Sequence, residues 1–190
     1  MSAARPQAIV VGASAGAVQA LSVILSRLPA NYSLPVLVVV HVPEGPSGLL
    51  ALFANKSAIA FREPEDKEPI APATVYIAPP GYHMLVEAGL SIALSTDEPV
   101  LFSRPSIDVL FESAADSYGS GLTGIVLTGA NDDGARGAAA ISRSGGIVLV
   151  EDPATAYASA MPTAALARCA NATTMSLDAI AEHLLELGRS

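Results

Sequence analysis

Residues 8–16 read Ala8-Ile9-Val10-Val11-Gly12-Ala13-Ser14-Ala15-Gly16, and this stretch decides the fold. Residues 8–12 are apolar and mostly β-branched, as a buried strand requires. Residues 16–28 then place Val18, Leu21, Ile24, Leu25 and Leu28 on one helical face, which Pro29 ends. A strand that passes through a glycine-flanked turn into a helix is the opening unit of a βα series. The turn itself satisfies G-x-S-x-G, in which small neighbours let a serine sit on a tight strand-to-helix corner. The helix N terminus behind it supplies N–H groups without intrahelical acceptors and a positive dipole end, both favourable to an oxyanion. The simpler role for Ser14 is that of a helix N-cap.

The same alternation continues outward. Residues 36–42 form a second strand that is apolar on both faces, which suits a parallel sheet covered by helices on each side. Residues 49–54 read as a short helix, 63–68 as a charged loop and 75–78 as a strand. Residues 84–87 and 90–94 flank Ala88-Gly89 and read as a hairpin at the antiparallel edge of the sheet. Ile107, Leu110, Phe111, Ala114, Ala115 and Tyr118 line one face of a helix with Ser106 as its N-cap. Strands at 124–128 and 147–150 bracket a helix at 135–143, and helices follow at 163–167 and 178–187. The expected architecture is α/β: one domain over residues 1–190, a doubly wound, mostly parallel sheet with helices on both faces and an antiparallel edge hairpin.

Composition narrows the function. Of 190 residues, 51% are hydrophobic, which excludes a mainly disordered chain. The net charge of −8 and an aromatic content of 5% argue against a nucleic-acid partner. No apolar run is long enough for a spanning helix, so no direct membrane insertion is expected. Arg5 and the apolar residues after it have the look of a signal peptide, but its removal would delete the first strand. A single cysteine, Cys169, fits a reducing, cytoplasmic setting.

Ligands of open α/β sheets bind beyond the carboxyl ends of the strands. Three loops there carry chemistry: Ser14 after the first strand, His41 at the end of the second, and Asp132-Asp133 in the loop 128–134. If the first two strands are neighbours, Ser14 and His41 reach the same edge, and an acid that accepts from the imidazole completes a nucleophilic triad. A dinucleotide site would need an acidic residue closing the second strand, where Val40-His41-Val42 stands instead. Without a further cluster of ligand residues, neither a metal nor an organic cofactor is expected. His183 falls on the face of the last helix.

Taken together, the motifs are similar to those of the catalytic domain of the chemotaxis protein-glutamate methylesterase family, CheB. They are Val10–Gly16 as above, Val40-His41-Val42-Pro43, Val75-Tyr76-Ile77-Ala78-Pro79-Pro80-Gly81-Tyr82-His83-Met84, and Arg104-Pro105-Ser106-Ile107-Asp108-Val109-Leu110-Phe111. Leu127-Thr128-Gly129, Asp133-Gly134-Ala135 and Ala160-Met161-Pro162 complete the set. The resemblance implies a serine hydrolase that demethylates glutamate methyl esters, and deamidates glutamines, on a methylated chemoreceptor-type signalling protein. It assigns the nucleophile to Ser14, the base to His41 and the orienting acid to Asp133 rather than Asp132. His41 Nε2 is expected to take the Ser14 Oγ proton. Ala15, Gly16, Ala130, His83 and Met161 are expected around the oxyanion and site wall, with Arg104 as a substrate clamp or, equally, a structural arginine holding its loop.

Departures from the family pattern are Ala17 for a second glycine, Val42 for Met, Ala160 for Gly, and Ala130-Asn131 for a Met-Gly pair. Typical members also carry an N-terminal receiver domain. Here about eight residues precede the first strand, so the expectation is a stand-alone esterase answering to separate regulatory signalling proteins. The alternative is a catalytically weak or inactive scaffold in a chemosensory-like pathway.

Overall fold

The computed structural model describes residues 7–41 and 48–189. Val42 and Pro43 of the second-strand motif, and Arg5, lie outside the described residues. In chain order the elements are β1 (Ala8–Ala13), α1 (Ala17–Leu25), β2 (Val36–Val40), α2 (Leu49–Ala54), β3 (Ala60–Arg62), β4 (Thr74–Ile77), β5 (His83–Val86) and β6 (Ile92–Ser95). They continue with α3 (Ile107–Tyr118), β7 (Leu122–Val126), α4 (Ala135–Arg143), β8 (Ile147–Glu151), α5 (Ala160–Arg168), β9 (Thr173–Met175) and α6 (Leu177–Leu187).

Seven strands form one parallel sheet in the order β3-β4-β2-β1-β7-β8-β9. β1 and β2 are buried along their whole length, as their unbroken apolar sequence requires. Alternate residues feed two cores. Ile9, Val11 and Ala13 pack with Val36, Val38 and the helices α1, α2 and α6. Val10, Leu37 and Val39 face the other way, against α3, α4 and α5. Each fully buried Val, Leu or Ile in these layers contributes about 1.5–3 kcal/mol. Among the described residues no helix is long and apolar enough to cross a membrane.

The hairpin forms as expected, but it does not extend the main sheet. β5 and β6 make a separate two-stranded sheet. β6 is occupied on its other side by residues 67–70: Ile92 N–H donates to Glu68 O at 2.8 Å and Lys67 N–H to Ile92 O at 2.7 Å. Met84, Val86 and Ile92 bury themselves with Leu110 and Phe111 of α3, and Val86 N–H donates to Ser113 Oγ at 3.1 Å. Two short strands, β3 and β9, were not legible in the sequence; their three-residue stretches, Ala-Phe-Arg and Thr-Thr-Met, lack an apolar run.

The chain builds outward from β1 to β2 and β4, then returns to place β7 on the opposite side of β1. This reversal brings the loops after β1, β2 and β7 to one edge, the usual position of a ligand crevice in such sheets. α3 and α4 lie unusually close there. A Cβ on Gly137 would stand 2.4 Å from Phe111 Cβ and 3.3 Å from Asp108 Cα. We therefore expect Gly137→Ala to force the two helices apart and to cost about 1–3 kcal/mol in urea unfolding, the usual range for overpacking. Unchanged stability would show that the approach is not tight.

Candidate active site

The Ser14 turn is held by the strands on either side of it. β1 pairs with β2 so that Ala13 stands opposite Val40, and His41 N–H donates to Ala13 O at 3.1 Å. On the other flank, Ser14 N–H donates to Thr128 O at 2.9 Å. Ser14 and His41 thus leave neighbouring strands at the same level. Ser14 does not cap α1; the cap position is Gly16, with φ 84° and no side-chain cap bond. That left-handed backbone favours glycine. A Cβ there would also lie 2.7 Å from Tyr157 Cβ. Ala17, the departure from a second glycine, fits without strain as the first residue of α1, buried in the core.

His41 Nε2 lies 2.7 Å from Asp133 Oδ2, and Asp133 is fully buried. Its carboxylate accepts three further hydrogen bonds. Ser106 Oγ donates to Oδ1 at 2.9 Å, Ile107 N–H to Oδ2 at 2.7 Å and Asp108 N–H to Oδ1 at 2.9 Å. The acid therefore caps the N terminus of α3, where N–H groups lack intrahelical acceptors and the dipole favours negative charge. Asp108 returns the arrangement by accepting from Gly134 N–H at 3.0 Å and Gly137 N–H at 2.7 Å at the start of α4. Burial alone would push the Asp133 carboxyl up. The hydrogen bonds from His41, Asp108 N–H and Ile107 N–H outweigh it and hold the group below its ordinary 3.8. Asp108 goes the other way, raised chiefly by burial.

The ring orientation corrects one expectation. Nε2 of His41 faces the acid, not the serine, so Nδ1 is the nitrogen left toward the open side. Asp132 is exposed and takes no part in the pair. Ser14 and His41 line an open groove of about 970 Å³ that runs along α1 past Val18 and Ser22 to Lys56 and Arg27, with Tyr157 on its far wall.

Other expected site residues fall elsewhere. His83 is not a wall residue: it is 2% exposed, accepts Ser106 N–H at Nδ1 (3.1 Å) and donates from Nε2 to Glu98 O (3.0 Å). It braces the residue whose hydroxyl binds Asp133. Met161 is fully buried beneath the acid loop; its N–H donates to Gly129 O at 3.0 Å, and its side chain fills the space a Cβ on Gly129 would take. Ala130 is exposed at the loop tip. Arg104 donates to Thr96 O at 2.9 Å and Asp97 O at 3.1 Å, the contacts of an arginine that holds its own loop. Ala15 sits in the Ser14 turn, its carbonyl accepting the Thr128 hydroxyl at 2.8 Å.

This fold matches known proteins. The sequence model of the CheB methylesterase family covers residues 9–184. The chain belongs to the CheB methylesterase family. A Leptospira interrogans protein, provisionally named a protein-glutamate methylesterase/protein-glutamine glutaminase, is 41% identical over 185 residues, 97% of this chain and 96% of its own length. Protein-glutamate methylesterase/protein-glutamine glutaminase 2 of Caulobacter vibrioides is 36% identical over 189 residues, but this CheB-family chain spans only 54% of it. The crystal structure of the Thermotoga maritima CheB methylesterase catalytic domain superposes with a TM-score of 0.90 at 30% identity, covering 97% of this chain and all of that one.

Sequence reasoning missed Asp108 and Thr128 as builders of the site. Asp108 carried a signal, an acid in the first turn of α3. The role of Thr128 had none, because its bonds reach residues far along the chain.

Because the Asp133 value is depressed on folding, its carboxylate stabilises the fold above pH 3.8, and that contribution is lost as pH falls through the lower folded value. Asp133→Asn should lower stability at neutral pH by about 2–4 kcal/mol. It should also flatten the loss of stability on acidification below about pH 4, followed by urea unfolding across pH. An acid limb identical to that of the wild type would contradict this.

Proposed function

We propose that this protein is a serine hydrolase that demethylates glutamate methyl esters on a chemoreceptor-type signalling protein, and that the same site deamidates glutamines. The observation that carries the reading is the buried His41–Asp133 pair at 2.7 Å, opening on the groove that Ser14 also lines. The names of the relatives and membership of the CheB methylesterase family support the substrate class. The single cysteine, a free and buried thiol, fits work in the cytoplasm.

In this reading His41 donates its Nε2–H to Asp133, so Nδ1 accepts the Ser14 Oγ proton as Oγ attacks the ester carbonyl. Asp133 stabilises the imidazolium that forms. The Ala15 and Gly16 N–H groups at the start of α1, and that of Ala130 in the loop of Asp133, are the proposed oxyanion donors. The imidazolium returns the proton to the departing methoxide and methanol leaves. Water then gives a proton to His41 and its hydroxide to the acyl carbon, and the imidazolium passes that proton to Ser14 Oγ as the acyl–oxygen bond breaks, freeing the glutamate carboxyl and restoring Ser14. With glutamine as substrate the leaving group is ammonia. His83, Met161 and Arg104 act only by bracing the loops around this chemistry.

Methanol release from a methylated receptor signalling fragment tests the proposal. Ser14→Ala and His41→Ala should each lower kcat by about 10³-fold or more with the fold intact by circular dichroism. A wild-type protein that releases no methanol and whose Ser14 takes no fluorophosphonate label would sink the enzyme reading and leave a scaffold.

A further inference from the structure

Glu151 closes β8 with its side chain 2% exposed, at the same sheet edge as Ser14, His41 and Asp133. Burial raises its carboxyl above the ordinary 4.5, so the position is costly to keep ionised. Its Oε2 accepts the Thr128 N–H at 2.7 Å. Thr128 is in turn the residue on which the nucleophile turn hangs. Its carbonyl accepts Ser14 N–H at 2.9 Å, and its hydroxyl donates to Ala15 O at 2.8 Å. The same hydroxyl accepts Ala158 N–H at 2.8 Å, tying down the loop whose Tyr157 packs over Gly16. Thr128 therefore holds the turn on the flank away from His41, next to the bond from Leu127 N–H to Gly12 O, and Glu151 is the side chain that binds the Thr128 backbone.

We infer that Glu151 is a positioning residue for hydrolysis: by holding Thr128 it sets the place of Ser14 relative to His41. This rests on the proposed role of Ser14 as nucleophile. The reason is geometric. Ser14 is anchored on one flank to Thr128, while His41 is anchored to Ala13 O and Asp133. Ala13 O and Ser14 N–H belong to one peptide group, held by His41 on one side and Thr128 on the other, so a shift of Thr128 tilts that peptide and moves the serine side chain relative to the imidazole that Asp133 fixes. Displacements of about 1 Å between reacting groups cost on the order of 100-fold in rate. A chamber of about 200 Å³ beside Glu151, also lined by Thr155, Tyr157 and Gln19, leaves room for other side chains at this position.

The test compares Glu151→Gln and Glu151→Leu with the wild type in the full chain. Glutamine keeps an oxygen that accepts the Thr128 N–H; leucine does not. Glu151→Leu should lower kcat for methanol release about 10- to 100-fold with KM little changed, and slow fluorophosphonate labelling of Ser14 in step. It should also speed hydrogen exchange at the Ser14 amide. Glu151→Gln should restore most of each signal. Wild-type labelling and exchange in Glu151→Leu would overturn the inference, and so would a glutamine variant as impaired as leucine. If Glu151→Leu does not fold, Glu151→Met, which keeps the length of the side chain and removes the carboxylate acceptor, takes its place; wild-type labelling and exchange in that variant overturn the inference. Amide exchange at Ser14 reads the positioning whether or not the protein hydrolyses an ester, so an inactive wild type refutes the functional reading while the exchange result still decides this one.

Discussion

The Asp133 carboxylate is the constraint on which the active edge depends. Taking a full charge out of water costs several kcal/mol unless it is matched, and here four donors from two segments, His41 and residues 106–108, match it. Two of these are N–H groups of α3 that any helix start must satisfy somehow. The cap of α3 and the orientation of His41 are thus one interaction. Asp108 makes the exchange mutual by capping α4, so the two helices lock together through a pair of acids with opposite titration behaviour. Neither acid can be lost without releasing backbone donors in the interior.

The sheet topology turns this lock into a site. Because the chain reverses across β1, the loops that follow β1, β2 and β7 meet, and each arrives rigidly held by its strand. Ser14 comes at the first corner, where φ at Gly16 allows the sharp entry into α1. Thr128 and Glu151 arrive from β7 and β8 on the other flank. The groove along α1 follows from the same geometry, since the helix that begins just after Ser14 also forms one wall of the cleft.

Much of this was legible in advance. The β1 turn, the helix at Ala135–Arg143 and the short helix at Leu49–Ala54 were readable to the residue or nearly so, because periodicity and end signals agree there. β3 and β9 were not, because edge strands of three residues owe their conformation to the neighbour that pairs with them. His83 and Met161, expected on the site wall, are buried among other neighbours, whereas Arg104 holds its own loop, one of the two roles expected for it. Sequence order tells which loops converge, and burial decides which side chains face the cleft and which stand behind it.

The amino-acid sequence by itself determined the α/β class, the strand-turn-helix at Ser14 and the sheet edge to which the loops of Ser14, His41 and Asp132-Asp133 belong, because these follow from local patterns and the order of strands. Only the tertiary structure decided that Asp133 rather than Asp132 is buried, that His41 meets it through Nε2, and that the hairpin stands apart from the main sheet. Those outcomes depend on which donors lie within hydrogen-bond reach once distant segments pack, and a buried charge accepts only the arrangement that satisfies it.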